Sequence, residues 1–272
     1  MTDAANPVPR MLGRLRALML RHLYLYMASW PRMVEVIYWP IVNMISWGFT
    51  SSYLLKKVAH VEFVSSTMVI GTLLMEFFIR MNMTMLVSFI EEIWSRNLGH
   101  LFASPIGLRE YIGGITIVSI IRVLIAIVPA ILLADYLFGY SLFSLGPPLI
   151  PIVILLLMAG AWLGMLIVAM MLHYGLAAEW VAWMAGWSFS ALFAPYYAVS
   201  VLPPVMQWMA RALPGSYIFD SVKSILAGEG VQAENLWIAF ALNLFYLGLA
   251  SWILSRSYRS ARRRGGLIQM GE

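Results

Sequence analysis

The chain has 272 residues, of which 61% are apolar and 11% are charged, and its formal net charge is +5. This apolar fraction far exceeds that of ordinary soluble domains and indicates a protein that crosses a membrane several times. The sequence contains no Cys, which excludes disulfides, thiolate metal sites and Cys nucleophiles. Its basic residues adjoin apolar runs, so membrane topology explains the positive charge and no nucleic-acid partner is expected.

Residues 10–29 predict an amphipathic helix that lies in the membrane interface. One face carries the apolar side chains Leu12, Leu15, Met19, Leu23 and Tyr26. The basic side chains Arg10, Arg14 and Arg21 fall on the opposite face, as an interface helix requires. A disordered basic tail is the alternative. Residues 1–33 are therefore interpreted as a cytoplasmic tail with its interface helix.

Six apolar runs follow, each long enough to cross about 30 Å of hydrocarbon. They cover residues 34–55, 65–89, 111–138, 148–172, 178–200 and 236–255. We therefore predict an all-α integral membrane protein with six transmembrane helices. Its membrane domain spans residues 34–255, and a basic cytoplasmic tail follows at residues 256–272.

The distribution of basic residues predicts the orientation of these spans. Six crossings place both termini on one side, together with the loop near residues 90–110. Twelve of the eighteen Lys and Arg lie on that side: Arg10, Arg14, Arg16, Arg21, Arg32, Arg96, Arg109, Arg256, Arg259, Arg262, Arg263 and Arg264. The opposite side carries Lys56, Lys57, Arg211 and Lys223. The positive-inside rule then predicts a multi-pass protein of a prokaryotic cytoplasmic (inner) membrane with both termini cytoplasmic.

A short charged segment, residues 90–103, separates the second and third predicted spans. Its apolar residues recur at helical spacing, and Ser104, Pro105 and Gly107 then end the predicted helix. The candidate contact residues in it are Glu91, Glu92, Trp94, Arg96, Leu98 and Leu101. A charged helix on a tight membrane hairpin offers a soluble partner a surface to bind.

Three charged residues, Glu76, Arg80 and Arg122, lie within predicted spans. A cation near the bilayer centre costs about 2.5 to 3.5 kcal/mol on insertion scales unless it is paired or hydrated. We therefore expect all three to face protein or a cavity. Two interpretations stay open. The residues form a polar patch that meets an anionic or zwitterionic headgroup in a transport path, or Glu76 forms an ion pair that locks helices together.

The fifth predicted span carries Trp180, Trp183 and Trp187 on one face. Such a stripe either packs against a helix or lipid, or forms an aromatic wall of a transport path.

The segment that follows contains two markedly apolar short helices within residues 203–228. Pro203 starts the first of them, while Pro214 breaks it and Ser216 can cap the second. Helices this apolar are expected to re-enter the outer leaflet.

These features together resemble the permease subunits of ABC-2 type exporters. Those subunits have an amphipathic N-terminal helix, six spans and a charged helix between the second and third spans. They also share a Pro-containing motif after the fifth span. Its counterparts here are Ala194, Pro195, Leu202, Pro203, Leu213, Pro214, Ser216, Tyr217, Leu226 and Gly228. One departure is that a Ser-Gly pair found in many members is replaced by residues 191–194, so no particular subfamily's substrate is transferred.

The resemblance implies a transport permease subunit with no catalytic, cofactor or metal site of its own. Residues 90–103 would be the coupling helix that docks a separate ATPase subunit, and that subunit would bind ATP and Mg²⁺. In agreement, the chain has no phosphate-binding loop, since none of its three Lys follows a Gly. A second permease copy would complete a dimer, a homodimer rather than a heterodimer. Membrane lipids would surround it, and Pro203, Pro214 and Tyr217 would mark the outer re-entrant motif.

The implied substrate is amphipathic or lipid-like, which includes glycolipids or polysaccharides, lipids and drugs. The alternative function is a secondary transporter driven by an ion gradient, with Glu76 as a proton site. The sequence shows neither a paired intramembrane carboxylate nor an inverted repeat to favour it. An intramembrane hydrolase is a third class, but the sequence contains no Gly-x-Ser-x-Gly element.

Overall fold

The computed structural model describes residues 7–57, 62–99, 104 and 106–264. Its long helices are α1 (Pro7–Met27), α2 (Trp30–Lys57), α3 (Glu62–Trp94), α4 (Leu108–Phe138), α5 (Leu149–Tyr174), α6 (Glu179–Phe193) and α9 (Ala233–Arg263). Two shorter helices, α7 (Pro204–Arg211) and α8 (Pro214–Leu226), lie between α6 and α9. Short 3-10 turns occupy Leu142–Leu145, Gly175–Ala178 and Val199–Val201.

Four segments of the described chain are long and apolar enough to cross a membrane: Phe63–Trp94, Leu108–Phe138, Leu149–Phe193 and Ala233–Arg263. They support an all-helical, multi-pass membrane protein. The third segment contains both α5 and α6, separated by a 3-10 turn. Helix α2 lies outside the four segments, and it carries polar residues such as Glu35 and Asn43. Six crossings therefore stay a prediction.

The predicted span over residues 178–200 is too long. Helix α6 ends at Phe193, and Ala194 takes the left-handed conformation with φ 50° and ψ 52°. The next residue is Pro195, which disfavours the helical conformation of the residue before it and has no N–H to donate. The helix therefore has 15 residues, which gives it a length of roughly 22 Å at 1.5 Å per residue.

Helix α3 is the centre of the fold. It contacts α2, α4, α5, α6 and α8, and 89% of its most apolar stretch is buried by protein. The corresponding fraction for α9 is 22%, because α9 packs mainly on α5 and α8 at one side. A helix buried on all sides has to place its polar residues against other protein groups. The charges of α3 therefore determine where a polar site forms.

Helices α3 and α5 approach closely because α5 carries glycines four residues apart. A Cβ atom at Gly160 would lie 2.5 Å from Met81 Cβ and 2.7 Å from the Phe78 carbonyl oxygen. One at Gly164 would lie 2.7 Å from Met85 Sδ. Small residues at this spacing allow two helix backbones to pack tightly within a membrane. This contact fixes the position of α3 within the bundle.

Candidate functional site

Helices α1 and α2 are tied to the end of α3 by ion pairs. Arg21 of α1 makes a two-point contact with Glu92, with Nη1 2.7 Å from Oε1 and Nη2 2.9 Å from Oε2. Arg32 of α2 places Nη1 3.1 Å from Glu91 Oε1. Bidentate arginine–carboxylate contacts are directional as well as strong. The acidic pair at the end of α3 therefore holds the two preceding helices in place.

Two residues of the predicted basic face of α1, Arg14 and Arg21, pair with carboxylates of other helices. Besides Arg21, Arg14 Nη1 lies 3.4 Å from Glu110 Oε1 of α4. Leu18 and His22 are buried on the same side of the helix. The sequence predicted that these arginines lie opposite the apolar stripe of an interface helix, but it did not predict that α4 and α3 supply the carboxylates that pair with them. Sequence periodicity alone does not contain this partner information.

The predicted coupling segment, residues 90–103, is not one continuous helix. Helix α3 continues to Trp94, and the chain then turns at Arg96, whose φ is 53°. Asn97 stabilises this turn by donating Nδ2–H to Glu92 Oε2 at 2.7 Å. A left-handed residue other than Gly interrupts a helix. The segment is therefore the end of one helix, a tight turn and the start of another at residue 98.

The six candidate contact residues of this segment divide into two groups. Those that pack inward are Glu91, Glu92 and Leu98. Trp94 is 61% exposed, and Arg96 is exposed beside it. Leu101 lies outside the described residues. The surface that remains open to a partner at this turn is centred on Trp94 and Arg96.

His22 is a buried titratable group that the sequence interpretation passed over. Its side chain is 1% exposed, and neither ring nitrogen has a hydrogen-bond partner among the described residues. Nε2 lies 3.8 Å from Glu92 Oε1. Burial lowers the pKa of His22 to about 4, with Arg122 and Arg21 acting in the same direction and Glu92 opposing them. His22 is therefore neutral near pH 7.

A cavity of about 280 Å³ lies between α2, α3, α4 and α6, with one side chain from α1. Polar and aromatic groups converge on it from separate helices. They are Tyr26, Glu35, Trp39, Arg80, Thr84, Arg122, Trp183 and Trp187. Aliphatic side chains of α2, α3 and α4 complete the lining. The convergence of charge and aromatic surface on one concave region is typical of a binding site.

Arg122 is buried, with 3% of its surface exposed. Its Nη1–H donates to Ser88 Oγ at 3.0 Å, and its Nη2–H donates to the His22 carbonyl oxygen at 3.2 Å. The guanidinium carbon lies 3.5 Å from the centre of the Tyr26 ring. No carboxylate of the described residues lies within 4 Å of Arg122, and its Nε has no hydrogen-bond partner there.

Glu76 and Arg80 form an ion pair one helical turn apart in α3, with Arg80 Nε 2.9 Å from Glu76 Oε2. Asn43 of α2 donates Nδ2–H to Glu76 Oε1 at 2.7 Å. The pair therefore also links α2 to α3. Arg122 takes no part in it. Of the three predicted intramembrane charges, the structure brings Arg80 and Arg122 to one cavity and leaves Glu76 behind Arg80.

Only two of the three tryptophans in the predicted stripe line the cavity. Trp183 and Trp187 line it, whereas Trp180 is 80% exposed and lies outside the lining. Two further lining residues, Glu35 and Trp39, were not singled out from the sequence. Their spacing of four residues puts them on one face of α2, which is the signal that could have identified them.

Of the two short helices after α6, the second begins at Pro214, two residues before the predicted cap Ser216. Helix α7 follows Pro203, and Pro214 occupies the first turn of α8. The predicted cap at Ser216 is wrong, because Ser216 lies inside α8. Its hydroxyl donates to the carbonyl oxygens of Ala210 at 2.7 Å and Leu213 at 3.1 Å. Proline fits a first helical turn, where a backbone N–H would be unpaired.

Helix α8 also fixes the turn that ends α6. Lys223 Nζ donates to the carbonyl oxygens of Tyr197 at 2.8 Å and Ala194 at 3.3 Å. Lys223 also pairs with Asp220 at 2.9 Å, and Asp220 pairs with Arg211 of α7 at 2.6 Å. Tyr217 of the predicted outer motif is half-buried, with its ring 5.3 Å from the Arg211 guanidinium. These contacts hold α6, α7 and α8 together.

Within the described part of the chain, no three His, Asp or Glu side chains are placed to hold a metal ion.

The family model described as ABC-2 type transporter matches residues 15–227. The match includes most of α1, the ion-paired end of α3, the cavity and the short helices α7 and α8. No curated protein sequence matches the chain.

Proposed function

Because the chain belongs to the ABC-2 type transporter family, we propose that it is the membrane-spanning subunit of an ATP-driven exporter. In this proposal the subunit lies in the cytoplasmic (inner) membrane of a prokaryote with both termini in the cytoplasm. It moves an amphipathic or lipid-like substrate outward. It carries out no chemical step itself, and a separate ATPase subunit supplies the energy from ATP and Mg²⁺.

The observation that carries the proposal is the turn at the end of α3. Trp94 and Arg96 are exposed there, so an ATPase subunit can contact them. The residues just before the turn, Glu91 and Glu92, are bonded to α2 and α1. A force applied at the turn therefore reaches both helices through short, directional contacts.

The same contacts lead toward the cavity. Arg21 and His22 are adjacent in α1, and the His22 carbonyl oxygen accepts a hydrogen bond from Arg122. Arg122 lines the cavity. A displacement of α3 relative to α1 would thus change the position of Arg122. We propose that ATP-driven closure of two ATPase subunits uses this route to switch the cavity between inward and outward access.

A dimer completes the proposed exporter, with a second copy of this chain as the expected partner. Each copy would dock one ATPase through its own turn. The apolar side chains exposed on α4 and α9, such as Leu132 and Trp252, would contact membrane lipids or the second copy.

The arrangement around Glu76 gives less support to the alternative of an ion-driven secondary transporter. A proton site needs a carboxylate that can gain and lose a proton during transport. Both oxygens of Glu76 are engaged, one by Arg80 and one by Asn43. The carboxylate therefore acts as a structural partner in this conformation.

The experiment is to tag the C-terminus, extract the protein from its native membrane in mild detergent, and identify the proteins that co-purify. A soluble ATPase present in stoichiometric amount is the expected result. Trp94→Ala and Arg96→Glu should each reduce its recovery at least fivefold. The matched controls are Trp208→Ala on α7 and Arg259→Glu on α9, which change exposed residues of the same types.

A different result would overturn the proposal. The chain would purify alone, and its transport activity would survive ATP depletion but disappear when the proton gradient is collapsed. If an ATPase co-purifies but the Trp94 and Arg96 variants retain it fully, the exporter assignment stands and the coupling surface lies elsewhere.

A further inference from the structure

We propose that the cavity between α2, α3, α4 and α6 binds the headgroup of an anionic amphipath, with phosphate or carboxylate oxygens placed between Arg80 and Arg122. The inference rests on the proposed function in one respect, since it treats the cavity as part of the transport path. It narrows the substrate from amphipathic molecules in general to those with a negatively charged headgroup.

The first argument is that no carboxylate is in direct contact with Arg122. A buried cation is costly unless it is paired with an anion or well hydrogen-bonded. Arg122 is 3% exposed, has two neutral acceptors and lies over the Tyr26 ring. Among the described residues no carboxylate comes within 4 Å of it, and its Nε is unpaired. An anion bound in the cavity would supply the direct contact that the more distant Glu91 does not provide.

The second argument is the free side of Arg80. Its Nε is bonded to Glu76, which fixes the orientation of the guanidinium. Its two terminal amino groups have no hydrogen-bond partner in the described part of the chain, and the side chain lines the cavity. A guanidinium presents its N–H groups as a planar fork that matches phosphate and carboxylate oxygens. Glu76 therefore positions Arg80, and the remaining donors are available to a ligand.

The donor groups that line the cavity favour an anion over a cation. Arg80 and Arg122 line the cavity together with one carboxylate, that of Glu35, while Glu76 pairs with Arg80 from outside the lining. Glu35 is exposed and forms no ion pair within 4 Å among the described residues. Its charge opposes the bound anion at longer range, and it therefore provides a variant whose effect has a predictable sign.

The size and the aromatic rim indicate that only a headgroup is enclosed. A volume of about 280 Å³ lies just below the roughly 300 to 1,000 Å³ of pockets that surround whole drug-sized ligands. Trp39 and Trp187 line the cavity and are 46% and 50% exposed, so they extend its surface outward. Tryptophan combines an apolar face with a polar N–H and suits the boundary between headgroup and tail. The tail of the ligand would lie along these rings.

The test is an equilibrium titration of the purified full chain in neutral detergent at low salt. The probes are dihexanoyl phosphatidic acid, the zwitterionic dihexanoyl phosphatidylcholine, and inorganic phosphate. Phosphatidic acid should bind at least tenfold more tightly than either of the others. Arg122→Gln should weaken its binding at least tenfold, and Arg259→Gln on α9 should leave it unchanged.

Two further variants keep the test decisive if Arg122→Gln does not fold. The double variant Glu76→Gln with Arg80→Gln removes the ion pair without leaving a buried charge alone, and it should weaken phosphatidic acid binding at least fivefold. Glu35→Gln should strengthen that binding severalfold, with a smaller gain at high salt. A purely structural role of these residues would not produce a gain of affinity.

Equal affinity for phosphatidic acid and phosphatidylcholine would overturn the proposal, as would unchanged binding in the arginine variants. Inorganic phosphate that binds as tightly as phosphatidic acid would also overturn it, by showing an anion site without a role for the tail. No ATPase is present in this titration. Its failure is therefore distinct from a failure of the exporter assignment, which the co-purification experiment decides.

Discussion

Glu92, at the end of α3, is 1% exposed and shares both of its oxygens with the guanidinium of Arg21 in α1. The carboxylate is buried only while α1 covers it, because Arg21 reaches it from that helix. The interface helix is therefore part of the packed structure rather than a lipid anchor alone. Its position depends on a charge that belongs to the segment proposed to contact the ATPase.

Arg21→Met should loosen α1 from the bundle. The change leaves a buried carboxylate without its main cationic partner, and breaking a fully buried pair in this way costs about 3 to 5 kcal/mol. The Arg21 side chain is 36% exposed, so we expect a smaller loss of about 1 to 3 kcal/mol in the free energy of unfolding. Thermal unfolding of the purified chain measures it.

The control for this prediction is Arg16→Met, which removes an exposed arginine from the same helix. It should change the midpoint of unfolding little. Adding Glu92→Gln to Arg21→Met should recover part of the loss, since the buried charge is then gone. Equal losses for Arg16→Met and Arg21→Met would show that the ion pair contributes nothing specific.

The stability of the α1 contact should fall as the pH is lowered from 6.5 to about 4. His22 has a folded-state pKa of about 4, below its ordinary value of about 6.5. The unfolded chain therefore binds a proton in this pH window while the folded chain does not. The free energy of unfolding falls by roughly 3 kcal/mol between pH 6.5 and pH 4. The charged groups around the ring are Glu92 of α3, Arg122 of α4 and Arg21 of α1 itself.

Unfolding midpoints measured between pH 7.5 and pH 4 test this expectation. The His22→Leu variant keeps an apolar side chain in the buried position and cannot be protonated. It should show a flatter profile than the unchanged chain, while acid effects on carboxylates remain in both. Parallel profiles would mean that His22 is protonated without cost in the folded protein.

The fold was largely predictable because its signals are local. Apolar runs of about 20 residues or more predict membrane helices by length alone. Four helices, α3, α4, α5 and α9, contain such runs. The errors occurred where a single residue changes the backbone. Ala194 and Arg96 adopt positive φ values. Neither alanine nor arginine favours the left-handed conformation, so the sequence does not predict it there. The predicted helix over 178–200 and the predicted continuous helix over 90–103 both failed for this reason.

The candidate site was predictable only in part because its contacts join distant segments. Charges within apolar runs identified Arg80 and Arg122 as residues that must face protein or a cavity. Nothing local indicates that Arg122 binds the carbonyl oxygen of His22, one hundred positions earlier. For the same reason the sequence suggested Glu91 and Glu92 as surface residues, although both face other helices of the same chain.

Gly160→Ala should destabilise the bundle by about 1 to 3 kcal/mol, because overpacking a close contact forces backbone shifts. The added Cβ would meet both a side-chain carbon of Met81 and the Phe78 carbonyl oxygen at under 3 Å. Gly248→Ala is the matched control, since a Cβ at that position of α9 meets nothing within 4 Å. There alanine should be neutral or slightly stabilising. Thermal unfolding of the two variants in the same detergent compares them, and equal effects would contradict close packing of α3 on α5.

Asn243 of α9 is buried and makes two hydrogen bonds to α5. Its replacement should lower the free energy of unfolding, mainly because the indole N–H of Trp162 loses its acceptor. Its Oδ1 accepts from Trp162 Nε1 at 3.1 Å, and its Nδ2–H donates to the Leu155 carbonyl oxygen at 3.1 Å. Asn243→Leu leaves the indole N–H buried without an acceptor, which costs about 1 to 3 kcal/mol. Hydrogen bonds between membrane helices average nearer 0.6 kcal/mol, so we expect a loss of about 1 to 2 kcal/mol.

A double-mutant cycle separates the hydrogen bond from the packing of the ring. Trp162→Phe removes the N–H but also reduces the stacking on Tyr246, whose ring centre lies 4.7 Å away. In the Asn243→Leu variant the Trp162 N–H is already unpaired. Trp162→Phe should therefore lower the free energy of unfolding less in that variant than in the unchanged chain. A coupling of about 0.5 to 1.5 kcal/mol is the expected result. Strictly additive losses would mean that α9 is held on α5 by shape alone, and that the amide could be replaced by any side chain of similar volume.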